Sequence, residues 1–563
     1  MSNFLGVERL SCGPWQALER AIYRLFVHAG FNDCRLVGGP GDQGADVLAA
    51  KDRQLWVAQV KFRKDPVSLD DSVIKEIVRA INSYSPDIAV VTTNQHFHSS
   101  TYEGARKYSA DTGVPVRLWP GSKLLDWAKK LPEYAASRKE LRSYQERAVD
   151  SVDLARSLGR KQGLIVMATG LGKTRIAGEI IQREILSRPQ NEVLVLSHMV
   201  DLAHQFEAAL WEVLPKDIST HIWAGGEYPT YAGGVICATM QSIIEAARRE
   251  NLEGRFSLII ADEAHHAPAD GYRQLLELLQ PNFLLGLTAT PWRSDERLLS
   301  DMFGPPVFSM SIVEGMQQGY LANVDYRMLV DDIDWKEIPS LTRQGLTIAE
   351  LNKKLFIPPR DESIISKLVE HLDSIDNPRC IIFCRTIDHA NSVHRLLRAI
   401  GKPCRVIHSG LGRVEATNTL REFRAGIIPT LISVDMLNEG IDVPDVNVVA
   451  FLRITHSRRI FVQQLGRGLR VREGKSTVRV LDFVADIRRI AAGLQLNEEA
   501  SEFAGKATEK EFIQFPDGRI VKFSNDKALS FFQEYLRDVA EAQDLDENAR
   551  LKFPPSISRL DEP

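Results

Sequence analysis

The sequence predicts an α/β protein of several domains, on three observations. The chain has 563 residues, which exceeds one hydrophobic core, since single cores stop growing near about 250–300 residues. Hydrophobic residues make up 44% and charged residues 26%, the mixture typical of a folded globular protein. Short apolar runs alternate with segments of helical periodicity, as expected for strands covered by helices. Three or four domains are therefore expected.

The N-terminal segment alternates helix and strand signals. Apolar residues at helical spacing predict a helix over 15–28. Apolar runs bounded by polar residues or glycine predict strands at 47–50, 55–60 and 88–93. A charged stretch around 131–139 is the predicted linker to the rest of the chain.

Two further sets of apolar runs suit strands buried on both faces of a parallel sheet. The predicted strands are 193–196, 234–237, 257–261 and 283–287 in the first set, and 380–384, 404–408, 430–434 and 446–451 in the second. The expected divisions are a domain at 1–130, a linker at 131–139, a domain at 140–330, a connection at 331–360, a domain at 361–494 and an acidic extension at 495–563.

Charge and cysteine usage exclude some classes of protein. The net charge of −4 gives no global basic field, although a local basic groove would suffice for nucleic acid. The six cysteines form no CxxC pair and no disulfide framework. Cys380 and Cys384 bracket an apolar run, so a buried strand is favoured over a metal site. The N-terminus has no apolar leader, and no run reaches the about 18–20 residues of a membrane span. A reducing, cytoplasmic setting is expected.

A phosphate-binding loop is predicted at residues 168–174, Ala-Thr-Gly-Leu-Gly-Lys-Thr. It follows a strand-like run and precedes a helical stretch, so its backbone N–H groups and the helix N-terminus favour phosphate. Lys173 is expected to reach the β and γ phosphates of ATP, and Thr174 to hold Mg²⁺. Thr169, Gly170 and Gly172 complete the loop. Met167 stands where the usual pattern has its first glycine; a chance glycine-rich turn is the alternative.

The run Asp262-Glu263-Ala264-His265 follows a predicted strand. A carboxylate at the carboxyl edge of a parallel sheet, beside a phosphate loop, is well placed to hold Mg²⁺. Asp262 is the predicted metal ligand, and Glu263 is predicted to orient the attacking water. By itself the run could be a helix start with Asp262 as N-cap.

Residues 140–490 resemble the superfamily 2 helicases, most closely the branch of restriction-enzyme motor subunits and DEAH-type DNA-repair helicases. The further motifs that carry this resemblance are 141–145, 197–205, 238–242, 288–291, 381–386, 408–410, 435–444 and 463–470. The resemblance implies two RecA-like lobes. It also implies that Gln145 contacts adenine and that Asp442 lies in a motif facing both ATP and nucleic acid.

The same resemblance makes Arg467 and Arg470 arginine fingers. Hydrolysis needs positive charge on the transferring phosphate, which a guanidinium supplies. The two residues are three apart, so on a helix they share a face. A solvated helix face is the alternative interpretation.

A second candidate site lies near the N-terminus, in the run Gly38 to Val47 and the following Gln59-Val60-Lys61. Metal-dependent cleavage of phosphodiesters needs a carboxylate, a further ligand and a lysine. Asp46 is the predicted metal ligand. Gln59 and Lys61 point to one face of a strand, and Glu19 could add a carboxylate. The alternative is a glycine-rich turn with Lys61 as an ordinary surface residue.

Residues 10–125 resemble the Mrr family of restriction endonucleases, within the PD-(D/E)XK nuclease fold. The Gly-Asp-Gln-Gly-Ala-Asp and Gln-Val-Lys runs and the strand at 90–94 carry this resemblance. It implies a restriction-endonuclease-like domain with Mg²⁺-dependent cleavage. Gln59 replaces the acidic residue of the general nuclease motif, as is common in this family, and is a weaker, neutral ligand.

Together these features predict an ATP-dependent DNA helicase or translocase coupled to a Mg²⁺-dependent endonuclease, acting in restriction or anti-phage defence. DNA, double-stranded and tracked along one strand, is the predicted partner. The extension 495–563 could mediate self-association or bind a partner protein. Two alternatives stay open: a remodeller whose N-terminal domain binds DNA without cutting it, and an RNA helicase.

Overall fold

The computed structural model describes residues 3–39, 42–264, 269–289, 299, 301–328, 361–384, 386–434, 446–452 and 477–483. The described residues group into two compact units, the first mainly up to residue 309 and the second mainly from residue 310 onward.

The N-terminal domain is a five-stranded sheet between helices. Its strand order is β1-β2-β3-β4-β5, with β1 to β3 antiparallel and β3 to β5 parallel. The predicted helix at 15–28 and the three predicted strands are confirmed. The elements are α1 (Val7–Cys12), α2 (Trp15–His28), β1 (Asn32–Leu36), β2 (Val47–Lys51), β3 (Gln54–Lys61), α3 (Ser72–Tyr84), β4 (Ile88–Thr93), α4 (Ser99–Thr112), β5 (Val116–Trp119) and α5 (Gly121–Lys130).

This sheet has a hydrophobic core on each face. Alternate residues of β3 and β4 enter opposite cores, because strand side chains alternate in direction. Ala58 and Val90 pack with α2 on one face, whereas Val57 and Val91 pack with α3 on the other. The sheet therefore holds α2 and the ends of β2 and β3 in fixed positions.

The next segment, the first lobe, is a seven-stranded sheet of order β12-β6-β11-β10-β7-β9-β8. Strands β6 to β11 are parallel, and the four strands predicted here are confirmed. The elements are α6 (Ser143–Ser157), β6 (Gln162–Met167), α7 (Lys173–Ser187), β7 (Glu192–Ser197), α8 (Val200–Leu210), β8 (Thr220–Trp223), β9 (Gly234–Thr239), α9 (Met240–Ala247), β10 (Phe256–Ala261), α10 (Ala269–Leu279), β11 (Phe283–Thr288) and β12 (Pro306–Met310).

The second lobe is a six-stranded parallel sheet of order β13-β18-β17-β14-β16-β15. The elements are α11 (Ile312–Gln317), β13 (Asn323–Met328), α12 (Asp361–Asp373), β14 (Cys380–Phe383), α13 (Ile387–Ala399), β15 (Cys404–His408), α14 (Arg413–Arg424), β16 (Thr430–Val434), β17 (Val448–Phe451) and β18 (Thr477–Asp482).

The strand predicted over 446–451 begins at Val448, and the other three predicted strands of this lobe are confirmed. Cys380 and Cys384 are fully buried in its apolar core, which confirms the strand interpretation. A membrane-spanning helix needs about 20 apolar residues, and no helix in the described part of the chain has that length and composition.

Candidate nuclease and ATP sites

The N-terminal candidate residues converge where β2 begins and β3 ends. The antiparallel register pairs Val47 with Ala58, so Asp46 and Gln59 are opposite neighbours at the next position. One Asp46 carboxylate oxygen, Oδ2, accepts a hydrogen bond of 2.6 Å from the backbone N–H of Val60. Glu19, on α2, shares a side-chain hydrogen bond with Asp46. The fold thus brings together groups that are about 40 residues apart in sequence.

The two carboxyl groups are poorly placed to be ionised together. Burial, followed by the charge of Asp46, raises the pKa of Glu19 above its ordinary value of 4.5. Burial also raises the pKa of Asp46 above its ordinary value of 3.8, although the hydrogen bond from the Val60 N–H and the positive charge of Lys61 both lower it. A shared proton therefore satisfies the pair, and a bound cation would take the place of that proton.

The surroundings of the pair fit a small cation with oxygen ligands. Gln59 is 1% exposed, and its Oε1 is buried without a hydrogen-bond partner among the described residues. A Cβ at Gly38 would lie 2.9 Å from Glu19 Oε2 and 3.2 Å from Asp46 Oδ1, so glycine keeps this space open. Mg²⁺ and Ca²⁺ prefer such carboxylate and amide oxygens.

The ligand set is small. The described residues contain no group of three or more His, Cys, Asp and Glu side chains able to hold a metal ion. The candidate set is therefore two carboxylates, Glu19 and Asp46, completed by the amide oxygen of Gln59.

Two acidic residues near this site were missed by sequence reasoning. Asp42 accepts hydrogen bonds from the backbone N–H groups of Gly39, at 2.8 Å, and Gly44, at 2.7 Å, and so shapes the turn before Asp46. Glu76, on α3, pairs with Lys61 and accepts a hydrogen bond of 2.8 Å from Gln59 Nε2. No short-range pattern marks Glu76, because it reaches the site through packing of α3.

The N-terminal domain is joined to the first lobe through three buried arginines, Arg9, Arg20 and Arg24, which are 1–3% exposed. We call this the arginine interface. Arg20 Nε lies 2.7 Å from Glu207 Oε2 on α8, and Arg20 Nη1 donates to Glu227 Oε2 at 2.7 Å.

The other two arginines of the interface bind backbone carbonyls of the first lobe. Arg24 donates to the carbonyls of Pro215 and Ile218, and Arg9 donates to that of Thr220, all at 2.7–2.8 Å. The N-terminal domain and the first lobe are therefore joined by direct side-chain contacts as well as by the predicted linker 131–139. Glu19 of the candidate nuclease site is the sequence neighbour of Arg20.

The phosphate loop lies between β6 and α7. Thr169 and Gly170 are in its turn, and Gly170 and Gly172 have φ values of +92° and +88°, which favour glycine. Lys173 is the first residue of α7, with Thr174 following it. Lys173 is 9% exposed, so its ammonium group is held in the site rather than in solvent.

The lysine ammonium group meets the carboxylate predicted to orient water. Lys173 Nζ donates to the Met167 carbonyl at 3.3 Å and lies 3.5 Å from Glu263 Oε1. Asp262 and Glu263 follow β10, and β11 separates β10 from β6. Glu263 has a φ of +46°, an uncommon conformation for a residue with a side chain, which is often found at functional sites.

Gln145 lies against the phosphate loop from α6. Its Oε1 accepts a hydrogen bond of 3.0 Å from the backbone N–H of Arg142. Its Nε2 is 2.6 Å from the position that a Cβ on Gly172 would occupy. A side chain at residue 172 would therefore displace Gln145.

One cavity of the first lobe connects the candidate ATP residues with two of the candidate strand-contact motifs. Its lining includes Ser197, His198, Gln241, Asp262 and Glu263. The residues predicted to contact a nucleic-acid strand and those predicted to bind ATP and its Mg²⁺ therefore line the same cavity.

Several predicted residues lie outside the described part of the chain. These are Asp442, Arg467, Arg470 and the extension 495–563.

Comparison with known families matches three parts of the chain. Residues 138–293 match the type III restriction enzyme res subunit, residues 363–472 the helicase conserved C-terminal domain, and residues 11–128 a restriction endonuclease family.

Three curated relatives each match about 60% of this chain. The IRC3 protein of Saccharomyces cerevisiae, by name an ATP-dependent helicase, is 27% identical over 63% of this chain and 53% of its own length. The DNA 3'-5' translocase XPB2 of Sulfurisphaera tokodaii is 29% identical over 59% of this chain and 79% of its own. The EcoAI type I restriction endonuclease subunit of Escherichia coli is 27% identical over 62% and 46%. The chain spans about half the length of the yeast and E. coli proteins.

Among solved structures, the type ISP restriction-modification enzyme LlaBIII bound to DNA is similar over 83% of this chain and 36% of its own, with 19% identity and a TM-score of 0.49. The helicase domain of Pyrococcus furiosus Hef is similar over 60% and 94%, with 19% identity and a TM-score of 0.41.

The expected resemblances are confirmed by the family matches. The two helicase matches follow an N-terminal match to a restriction endonuclease family, in the order that the sequence predicts. These families imply ATP hydrolysis and endonuclease activity, and they generally use ATP and a divalent metal.

Proposed function

We propose that this protein is an ATP-dependent DNA translocase or helicase coupled to a Mg²⁺-dependent DNA endonuclease, acting in restriction or anti-phage defence. The observation that carries the proposal is the arginine interface. It joins the domain that contains Glu19, Asp46 and Gln59 to the part of the first lobe that contains Lys173, within one compact unit.

In the endonuclease site, Glu19, Asp46 and Gln59 would hold Mg²⁺. When bound, Mg²⁺ would polarise the scissile phosphate and favour ionisation of the attacking water. Lys61 would place its positive charge beside the phosphate. Gly38 keeps a methyl group out of the site.

In the motor, Lys173, Thr174 and Asp262 would bind the phosphates of ATP and its Mg²⁺, and Gln145 would read adenine. Glu263 would orient the attacking water, with its carboxylate held near Lys173. The roles of Asp442, Arg467 and Arg470 are proposed from the family resemblance alone, and the domain division given above stays a prediction from the sequence.

The proposed substrate is double-stranded DNA tracked along one strand. Phosphate contacts would give affinity without sequence reading. Relatives named as a DNA translocase and as restriction endonuclease subunits support DNA over RNA. Cytoplasmic localisation, and a partner or self-association through 495–563, stay predictions.

The test is plasmid cleavage with Mg²⁺, with and without ATP, by wild type, Lys61→Ala and Lys173→Ala. We expect wild type to cut, Lys61→Ala to hydrolyse ATP without cutting, and Lys173→Ala to lose ATP hydrolysis. Whether Lys173→Ala still cuts decides if cleavage needs the motor.

Two results would contradict the proposal. ATP hydrolysis without cleavage of any DNA would favour the remodeller alternative. Stronger stimulation of the ATPase by RNA than by DNA of equal length would favour an RNA helicase.

A further inference from the structure

Glu76 contacts both β3 residues of the proposed nuclease site. It lies on α3, and its carboxylate Oε2 accepts a hydrogen bond of 2.8 Å from Gln59 Nε2. The same oxygen forms an ion pair with the ammonium group of Lys61. Its side chain is 41% exposed and that of Lys61 is 26% exposed, so the pair lies at the edge of the site.

These contacts fix which end of the Gln59 amide faces Glu76. A carboxylate accepts hydrogen bonds and repels another oxygen, so the amide nitrogen must face Glu76. The amide oxygen then points away from Glu76. That oxygen is buried and has no hydrogen-bond partner among the described residues, which is the state expected of a ligand awaiting a cation.

Orientation matters here because the residue is glutamine. A glutamate could offer either of its equivalent oxygens to a cation. A glutamine offers one oxygen, and its other end is an N–H₂ group that repels a cation. A neutral ligand at this position therefore needs a partner that selects its orientation.

We propose that Glu76 is a positioning residue of the nuclease site. It holds the Gln59 amide with its oxygen available to a divalent cation, and it keeps the Lys61 ammonium group from donating to that oxygen. This inference rests on the proposed nuclease function.

Calorimetric titration of the full chain with Ca²⁺, without nucleotide, measures binding independently of cleavage. Asp46→Ala identifies the part of the signal that belongs to this site. Loss of an outer-shell partner typically weakens metal binding by about 10–100-fold, so Glu76→Ala and Glu76→Gln are expected to weaken the Asp46-dependent binding by about tenfold or more. Glu103→Gln, an exposed residue of α4, is the matched control and should bind like wild type.

The exchanged pair Gln59→Glu with Glu76→Gln separates positioning from a general structural role. This variant places the carboxylate at residue 59 on β3 and the amide at residue 76 on α3. One oxygen of the carboxylate at residue 59 stays available to the cation. Binding is expected to return to at least the wild-type affinity, because a carboxylate at residue 59 offers an oxygen to the cation in either orientation and is a stronger ligand than the neutral amide. Thermal unfolding of every variant checks that the fold is retained.

The outcomes are distinct. Wild-type affinity in both Glu76 variants, with Asp46→Ala still abolishing binding, overturns the role of Glu76 and leaves the nuclease site intact. Weak binding that the exchanged pair does not restore also overturns it. No Asp46-dependent Ca²⁺ binding and no DNA cleavage by wild type overturns the nuclease proposal and this inference with it.

Discussion

Replacing Arg20 with methionine would leave two buried carboxylates without their shared cation. Arg20, Glu207 and Glu227 have side chains 4%, 1% and 6% exposed. Burial alone lowers the pKa of Arg20, but the charges of Glu207 and Glu227 outweigh it and the net shift is upward. The charged guanidinium is therefore strongly stabilised by this pair.

The magnitude follows from burial. Removing one partner of a buried ion pair typically costs about 3–5 kcal/mol, because a charge stays in the interior without compensation. Arg183 is a matched control, since it also pairs with several carboxylates, those of Asp150, Asp153 and Glu179, but its side chain is 42% exposed. Exposed ion pairs contribute about 0–1 kcal/mol, so Arg183→Met should have a small effect.

Native-state hydrogen exchange measures the relevant free energy without assuming that a multidomain chain unfolds in one step. The free energy of opening of the amides in α2 and α8 is expected to fall by about 3–5 kcal/mol in Arg20→Met. In Arg183→Met it should stay within about 1 kcal/mol of wild type. Equal protection of α2 and α8 in the two variants would refute the argument that Arg20 joins the domains.

Three further predictions test other parts of the structure. Gly38→Ala puts a methyl group into the cation space, an overpacking of about 1–3 kcal/mol. Ca²⁺ affinity measured by calorimetry should therefore fall about tenfold or more. In the control Gly104→Ala the added Cβ would be 3.7 Å from its nearest neighbour, so this variant should bind Ca²⁺ like wild type. His28 is buried with its pKa lowered by burial from 6.5 to about 3. His28 is neutral in the fold and protonates on unfolding, so stability falls as pH drops from 6.5 toward 3, by about 2 kcal/mol at pH 5. Hydrogen exchange of the α2 amides at several pH values should show a smaller pH dependence of the opening free energy in His28→Gln. An unchanged pH dependence would contradict the assignment. Lys173→Ala should lower steady-state ATP hydrolysis at least about 100-fold, whereas the exposed Lys161→Ala should not; comparable rates would remove Lys173 from the site.

Local patterns in the sequence were enough for most of the fold. Apolar runs of four to six residues became the central strands of the two parallel sheets, because a strand buried on both faces needs continuous apolar sequence. Helical periodicity gave α2 its observed bounds, Trp15–His28. The phosphate loop could also be predicted from the sequence, because the positive φ values of Gly170 and Gly172 exclude most other residues and therefore leave a recognisable glycine pattern.

Contacts between segments distant in the chain needed the tertiary structure. Arg20 pairs with Glu207 and Glu227, which lie about two hundred residues further along the chain. From the sequence alone, an arginine on a helix is expected to face solvent. Glu76 likewise resembles any surface glutamate until α3 packs beside β3. The sequence by itself determined the elements and the motif chemistry, because these depend on neighbouring residues. Tertiary packing decided which charges are buried together, because burial and partner distance arise only when separate elements meet.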